Sequence, residues 1–320
     1  MDVKSYLGRN YRFLGRSNKV KLLNKGINST NWFVSAGKKK YVLRKFTDGS
    51  SHEKMEKMCR ILDFCKKHGA KVVKPIKRKD GLYIDKRAKL YLTEYYKGEP
   101  YHGKSSELKD AAKNLAILHS VLASSKLKYP YQLNQRYYRH LNKGEFNRIE
   151  GKIRSKKRQD EFDKKALKSL SYLRKRFQEN EYFFNNQNRL LSEKQLIHFD
   201  FQPGNVIFNK GKVAVILDLA SMRTGSKIED LGFAAFRFAL VNPKGIPGIK
   251  RDIKVFLKTY LMYNSIEEKQ LEFLKDCFLG LILGRISYIL KKRYFSLSDS
   301  WSIDFNKILK ILKLSEKVEG

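Results

Sequence analysis

One stretch of the chain, residues 196–218 (LIHFDFQPGNVIFNKGKVAVILD), holds polar residues whose types and spacing can do chemistry together: His198, Asp200, Asn205 and Asp218. Residues 206–208 and 213–217 are apolar runs, and Asn209, Lys210, Gly211 and Lys212 between them carry a hairpin turn signal. Centring the turn on Lys210 and Gly211 pairs Phe208 with Val213 and sets Asn205 opposite Ile216. Asp218 then lies two residues, about 7 Å, further along its strand. Pro203 and Gly204 keep the segment bearing Asp200 out of a helix. Asp200, Asn205 and Asp218 would then offer hard oxygen donors around one point, as magnesium requires, with none of the sulfur or imidazole clustering that suits zinc. Phosphoryl transfer needs little more: a metal on the phosphates, a carboxylate on the nucleophile, and cations. Singly, each residue reads as an ordinary loop or core-edge residue. The joint pattern of His, Asp two residues on, Asn five beyond it, the hairpin and the terminal Asp carries the inference.

The elements that must position these residues fall into two halves. Residues 20–23, 31–36 and 40–46 are short strand-like runs with turns near Gly26 and Gly37. Residues 51–68 place Met55, Met58, Cys59, Leu62 and Cys65 at helical spacing, and residues 82–85 and 89–96 read as two further strands. From Ser105 the pattern turns helical, beginning with Leu108, Ala112, Leu115 and Leu118. Over residues 148–180, Phe162, Ala166, Leu170, Leu173 and Phe177 define one amphipathic helix with a charged outer face. The expected fold class is α+β: a small antiparallel-sheet lobe over residues 1–97 and a mostly helical lobe over residues 98–320.

A chain of 320 residues is long enough for two lobes sharing a cleft, and its 42% hydrophobic and 12% aromatic content supports real cores. The three cysteines form no CxxC pair or disulfide framework. The longest apolar stretch, residues 277–290, is short of a membrane span and interrupted by Arg285, so it reads as a buried helix. The N-terminus lacks the apolar core of a signal peptide, which makes the cytoplasm the expected location. With 68 basic and 32 acidic residues the formal net charge is +36. Such a field attracts polyanions, but the cations are scattered and no nucleic-acid module is present, so any association of this kind would be non-specific.

The catalytic segment, from His198 to Asn205 and on to Ile216, Leu217 and Asp218, resembles the catalytic and metal loops of the aminoglycoside phosphotransferase family. That family also includes choline, homoserine and methylthioribose kinases and certain spore-coat-associated proteins. Four other stretches resemble it too. Residues 25–31 with Trp32, Phe33 and Val34 resemble the turn that covers the phosphates, residues 92–100 the hinge whose backbone binds adenine, and residues 116–120 the helix behind that hinge. Residues 227–232, with Glu229 and Asp230, resemble the aspartate segment that anchors the helical lobe. The resemblance implies a bilobal protein-kinase-like fold and transfer of the γ-phosphate of ATP or GTP, with Mg2+, to a hydroxyl of a small-molecule acceptor. It implies Asp200 as catalytic base, or as the residue that aligns the acceptor hydroxyl, with His198 bracing the loop, and Asn205 and Asp218 as metal ligands. It places Arg44, Glu94, Tyr96, Asn28 and Ser29 at the nucleotide. Arg44 stands where lysine is commoner, which keeps the charge but spreads it over a planar fork. Its partner would be Glu53 or Glu56 on the following helix. Phe199 and Leu219 stand where glycine and phenylalanine are commoner. His119 reads as structural.

Two other readings compete. Residues 98–105 (GEPYHGKS) match the G-x-x-x-x-G-K-[ST] phosphate loop. A P-loop domain, however, needs a parallel sheet of alternating strands and helices, and residues 125–194 show almost no strand. A non-catalytic, coat-associated or anion-binding scaffold is the other alternative; the joint presence of Asp200, Asn205 and Asp218 argues against it. Two-metal hydrolysis lacks the histidine ligands, and no G-x-S-x-G elbow occurs. Tyr288, Tyr294 and Trp301 are candidate acceptor walls, with core packing as the fate that aromatic residues more commonly meet.

Overall fold

The computed structural model describes residues 2–12, 19–25, 29–46, 51–125, 140–191, 193–241, 245–296 and 302–318. The elements run α1 (Val3–Asn10), β1 (Lys19–Lys25), β2 (Ser29–Ala36), β3 (Lys39–Phe46), α2 (His52–Lys67), β4 (Pro75–Ile76) and β5 (Leu90–Glu94) in the first part. There follow α3 (Ser105–Ser124), α4 (Lys143–Arg154), α5 (Glu161–Glu179), α6 (Glu181–Leu190), β6 (Gln195–Ile197), β7 (Val206–Asn209), β8 (Lys212–Ile216) and β9 (Arg223–Gly225). The chain closes with α7 (Lys227–Val241), α8 (Gly245–Leu261), α9 (Glu268–Leu271), α10 (Leu274–Phe295) and α11 (Ser302–Glu316).

The first part is a five-stranded sheet in the order β1-β2-β3-β5-β4, every pair antiparallel. Alternation in β3 turns Tyr41 and Leu43 inward, where they meet Val34, Leu90, Leu92 and α1 in a small core. Helix α2 buries Met55, Met58, Cys59, Leu62 and Cys65, the face its spacing foretold, in the larger core that continues into the helical part. The strand expected at residues 82–85 does not form. The amides of Tyr83 and Ile84 donate instead to Glu56 Oε2, both at 3.0 Å, and the two-residue β4 takes the place beside β5. A buried carboxylate here outcompetes a strand ladder for the same two donors.

The second part is helical, as expected. The single helix read over residues 148–180 is two helices. Asp160 caps α5 by accepting from the Asp163 amide at 2.8 Å, while Asp163 accepts from the Asp160 amide at 3.2 Å. That reciprocal capping starts a new helix, so the apolar steps from Phe162 to Phe177 belong to α5 alone. Helix α10 is buried along most of its length, and no helix among the described residues is long and apolar enough to cross a membrane. Tyr294 is a core residue whose hydroxyl donates to Asp163 at 2.9 Å, Tyr288 is half-buried, and Trp301 lies outside the described residues.

Residues 98–104 are an extended connector, and Ser105 opens α3. Glu99 and Phe208 exchange both backbone hydrogen bonds, at 2.8 and 2.9 Å, which adds the connector to the β7–β8 hairpin. Gly98 permits this approach, since a Cβ there would stand 2.2 Å from the Phe208 carbonyl oxygen. Glu107 Oε2 accepts from the His102 and Lys104 amides at 2.9 and 3.4 Å, so a carboxylate takes the donors a P-loop would turn to phosphate. With an antiparallel sheet in front, the P-loop reading is excluded. On its other flank the hairpin receives residues 71–72: the Ile216 amide donates to the Lys71 carbonyl at 2.6 Å, beside a parallel bridge to Val72.

Candidate active site

The loop after β6 hangs from one buried carboxylate. Asp230, fully inside α7, accepts from the amides of His198 and Phe199, both at 2.6 Å, and from His119 Nε2 at 3.0 Å. The Tyr260 hydroxyl sits 2.7 Å from His119 Nδ1 and completes the chain. Burial alone would push the Asp230 carboxyl up. The His119 hydrogen bond and charge, with the His198 contacts, outweigh it and hold the group below its ordinary value. His119 is therefore part of the anchor. Phe199 adopts φ +66°, the left-handed region that accounts for glycine being commoner there, and the buried Arg223 guanidinium lies 3.5 Å over its ring.

His198 is fully buried. Its Nδ1 accepts from the Asp200 amide at 3.2 Å, so Nε2 carries the hydrogen it donates to the Leu217 carbonyl at 2.9 Å. That neutral ring ties the Asp200 loop to the end of β8. Asn205 closes the single 3-10 turn Pro203–Asn205 and donates from Nδ2 to both the carbonyl and Oδ2 of Asp200, each at 2.8 Å. Asp200 Oδ1 accepts from Gln202 Nε2 at 2.9 Å and from Arg285 Nη2 at 2.5 Å.

The hairpin differs from its expected register by one residue. Phe208 does pair with Val213, but a bulge between Ile207 and Phe208 sets Val206 opposite Ile216. Asn205 therefore meets Leu217, whose amide donates to its carbonyl at 2.8 Å, and Asp218 is the next residue. The bulge thus shortens the step from Asn205 to Asp218 along the strand. Asp218 itself is left-handed at φ +59°, the turn that carries the chain from β8 into the 3-10 segment Leu219–Ser221.

Arg44 reaches this end of the hairpin from the sheet. Its Nη1 donates to Asp218 Oδ1 at 3.2 Å, and its Nε to Asn31 Oδ1 at 2.9 Å from the directly opposed position on β2. The expected pairing with α2 is not made. Glu53 pairs with Lys57, and Glu56 is spent on the Tyr83 and Ile84 amides and on Arg60. Asn31 is in turn held by Asn24 Oδ1 at 2.6 Å and Ser29 Oγ at 3.4 Å. An amide across the strand pair replaces a carboxylate on the helix.

Sequence reasoning thus placed together His198, Asp200, Asn205, Asp218 and Arg44, and the structure joins them through the hydrogen bonds above. Among the described residues Ser29 connects only through Asn31. Glu94 and Tyr96 form a separate group where β5 leaves the sheet: the Tyr96 hydroxyl donates to Glu94 at 3.2 Å, and Lys74 lies 3.3 Å from the same carboxylate. Asn28 lies outside the described residues. Sequence reasoning missed Asn31, Gln202, Arg237 and Arg285. Only Arg285 left a signal, as the charge interrupting an apolar run.

No group of three or more His, Cys, Asp or Glu side chains able to hold a metal occurs among the described residues. Asn205 and Asp218 still suit a hard cation. With Nδ2 of Asn205 committed to Asp200, its Oδ1 remains as an acceptor, and Arg44 engages Asp218 through Oδ1. Two oxygens from the protein, with the rest from phosphates and water, is the sparse set magnesium takes in nucleotide sites.

The chain belongs to the phosphotransferase enzyme family, whose model matches residues 19–250. Among solved structures it is similar to a spectinomycin phosphotransferase in complex with ADP and spectinomycin, at 15% identity and a TM-score of 0.70, covering 98% of this chain and 98% of that one. It is also similar to an amicoumacin kinase in complex with AMP-PNP, Ca2+ and Ami, at 16% identity and a TM-score of 0.67, covering 99% and 94%. A Plasmodium vivax ethanolamine kinase gives 16% identity and a TM-score of 0.60, covering 93% and 81%. At these identities the likeness is one of fold. No curated protein sequence matches the chain.

Proposed function

We propose that the chain transfers the γ-phosphate of ATP, with magnesium, to a hydroxyl group of a small molecule, in a cleft between a lobe of residues 1–97 and a lobe of residues 98–320. The observation that carries this reading is the meeting of Asp200, Asn205 and Asp218 at one end of the hairpin, with Arg44 brought to the same point from the sheet. Asn205 and Asp218 would hold magnesium, which would supply charge neutralisation for the phosphates. Asp200 orients the acceptor hydroxyl and takes its proton, while Asn205 Nδ2 fixes the carboxylate through Oδ2. His198 holds the loop in register with Leu217. Arg44 contacts the phosphates, and Asn28 and Ser29 help to cover them. The amides of Glu94 and Tyr95 are already donated to the Lys74 and Lys40 carbonyls, both at 3.0 Å. The purine edge therefore falls to the next backbone position, Tyr96.

The test is nucleotide binding and turnover. Mg-ATP is expected to raise the melting temperature, and chelation of the metal to reverse that rise. Asp200→Asn should retain the shift while lowering phosphoryl transfer by at least 1,000-fold, on the order of what loss of a general base does in concert with lost alignment. Absence of any metal-dependent shift with ATP or GTP would leave a non-catalytic scaffold as the better account.

A further inference from the structure

Two guanidinium groups crowd the carboxylate against which the acceptor hydroxyl has to be placed. Arg285 is the one charged residue in the apolar run of α10, and its Nη2 lies 2.5 Å from Asp200 Oδ1. Arg237, on α7, is 8% exposed. Its Nη2 donates to Gln202 Oε1 at 2.5 Å, and Gln202 passes that contact on to the same Asp200 Oδ1 at 2.9 Å. Both guanidiniums pack around one ring, that of Phe233, at 4.7 and 5.8 Å from its centroid. Arg237 Nε is buried with no hydrogen-bond partner among the described residues.

Holding two like charges together in a partly closed site is unfavourable. Burial first, and the neighbouring Arg285 second, push the Arg237 guanidinium down to about 10, with Asp200 and Asp304 of α11 acting the other way. Among the described residues Asp200 is the only carboxylate in contact with this pair, and it is the group the proposed reaction requires to be available. The site therefore has more cationic donors than its own acceptors use once Asp200 turns to a substrate. An ammonium-bearing acceptor would be brought against positive charge. An anionic oxygen group would instead meet a planar fork suited to bidentate contact.

We propose that the acceptor carries a carboxylate or phosphate beside the hydroxyl that is phosphorylated, and that this anionic group takes the place of Asp200 as the partner of Arg285. This rests on the phosphotransferase reading above. Arg285 and Arg237 are then specificity-determining residues. With Arg285 engaged by the acceptor's anion, Asp200 Oδ1 is released to the acceptor hydroxyl. The hydroxyl oxygen forms its bond to the γ-phosphorus, the bond from that phosphorus to the bridging oxygen breaks, ADP departs with the electron pair, and the hydroxyl proton passes to Asp200. A substrate lacking the anion leaves Asp200 held by Arg285.

The experiment compares charge variants of one skeleton. Glucuronate, glucose and glucosamine form one series, and glycerate, glycerol and serinol a second. Binding is measured calorimetrically at fixed ionic strength with Mg-AMP-PNP present. The anionic member of at least one series is expected to bind at least tenfold tighter than its cationic member. Arg285→Gln should abolish that preference, Arg285→Lys should restore part of it, and Lys157→Gln, an exposed cation between α4 and α5, should leave it unchanged. Equal or tighter binding of the cationic members, no preference in either series, or loss of the preference in Lys157→Gln would overturn the proposal. The Mg-AMP-PNP shift in the native protein reports separately on the phosphotransferase reading. Its absence would remove that reading, whereas its presence with no anion preference removes this inference alone.

Discussion

Arg44 shows how much a single residue's function depends on what aims it. A guanidinium on a half-buried strand can turn in several directions. Here the Asn31 amide fixes its Nε and Asp218 its Nη1, so the fork faces the hairpin end. A hydrogen bond to a charged group contributes about 1.5–3 kcal/mol, equivalent to roughly tenfold or more in an equilibrium. Asn31→Ala is therefore expected to raise the KM for nucleotide about tenfold with a smaller effect on kcat. Glu53→Gln should leave both unchanged, since among the described residues that carboxylate pairs only with Lys57. Steady-state kinetics on the two variants decide whether the cross-strand amide or the helix carboxylate positions Arg44. The residues of this site were legible where chemistry demands a type: an Asp, an Asn and an Asp at a hairpin's open end. Asn31 and Gln202 were not legible, because amides that orient other side chains are called for by geometry alone. The unexpected partner of Arg44 has the same origin. Spacing along α2 put two glutamates within reach but could not register that Tyr83 and Ile84 would claim one of them.

At the scale of elements, the hairpin is the organising unit. The turn signal and the two apolar runs of the sequence were sufficient to place β7 and β8, and to pair Phe208 with Val213. The bulge that follows was not, since no residue type there demands it. Helices with clear periodicity were legible as well. The division between α4 and α5 hinges on a capping pair, Asp160 and Asp163, inside a run of charges whose outer face looks continuous. The connector against β7 gives a sharp prediction. Gly98→Val should destabilise the protein by several kcal/mol, because its branched side chain has to enter space held by the Phe208 backbone and the Ile207 side chain. Lys104→Ala should leave nucleotide affinity within about twofold, an outcome no P-loop enzyme would give. Chemical denaturation and a nucleotide titration check the two in turn.

At the scale of the whole molecule, Asp230 joins parts distant in sequence: the loop at residues 198–199, His119 of α3, and Tyr260 of α8 through that histidine. The folded Asp230 carboxyl is held below its ordinary value. Its contribution is accordingly complete above the unfolded-state pKa of about 3.9 and is lost as pH falls through the lower folded value. Native protein and Asp230→Asn should show a large gap in melting temperature at neutral pH that narrows below about pH 4. A gap constant down to pH 3 would assign the stability to shape rather than charge. The two-part architecture was legible from the change of apolar period near residue 100. The anchor was not, because it unites three helices and a loop that sequence spacing leaves unrelated.

The zippering of the hairpin on both flanks has a mechanical consequence. Residues 71–72 and 98–99 are stitched to it by backbone bonds, so the edge bearing Asn205 and Asp218 travels with the sheet that bears Arg44. Swinging the sheet away would break the main-chain bond from Ile216 to Lys71. Repositioning α10 and α11 disturbs none of these backbone bonds. Arg285 belongs to α10, so on the proposed reading any displacement of that helix which admitted an acceptor would also withdraw Arg285 from Asp200.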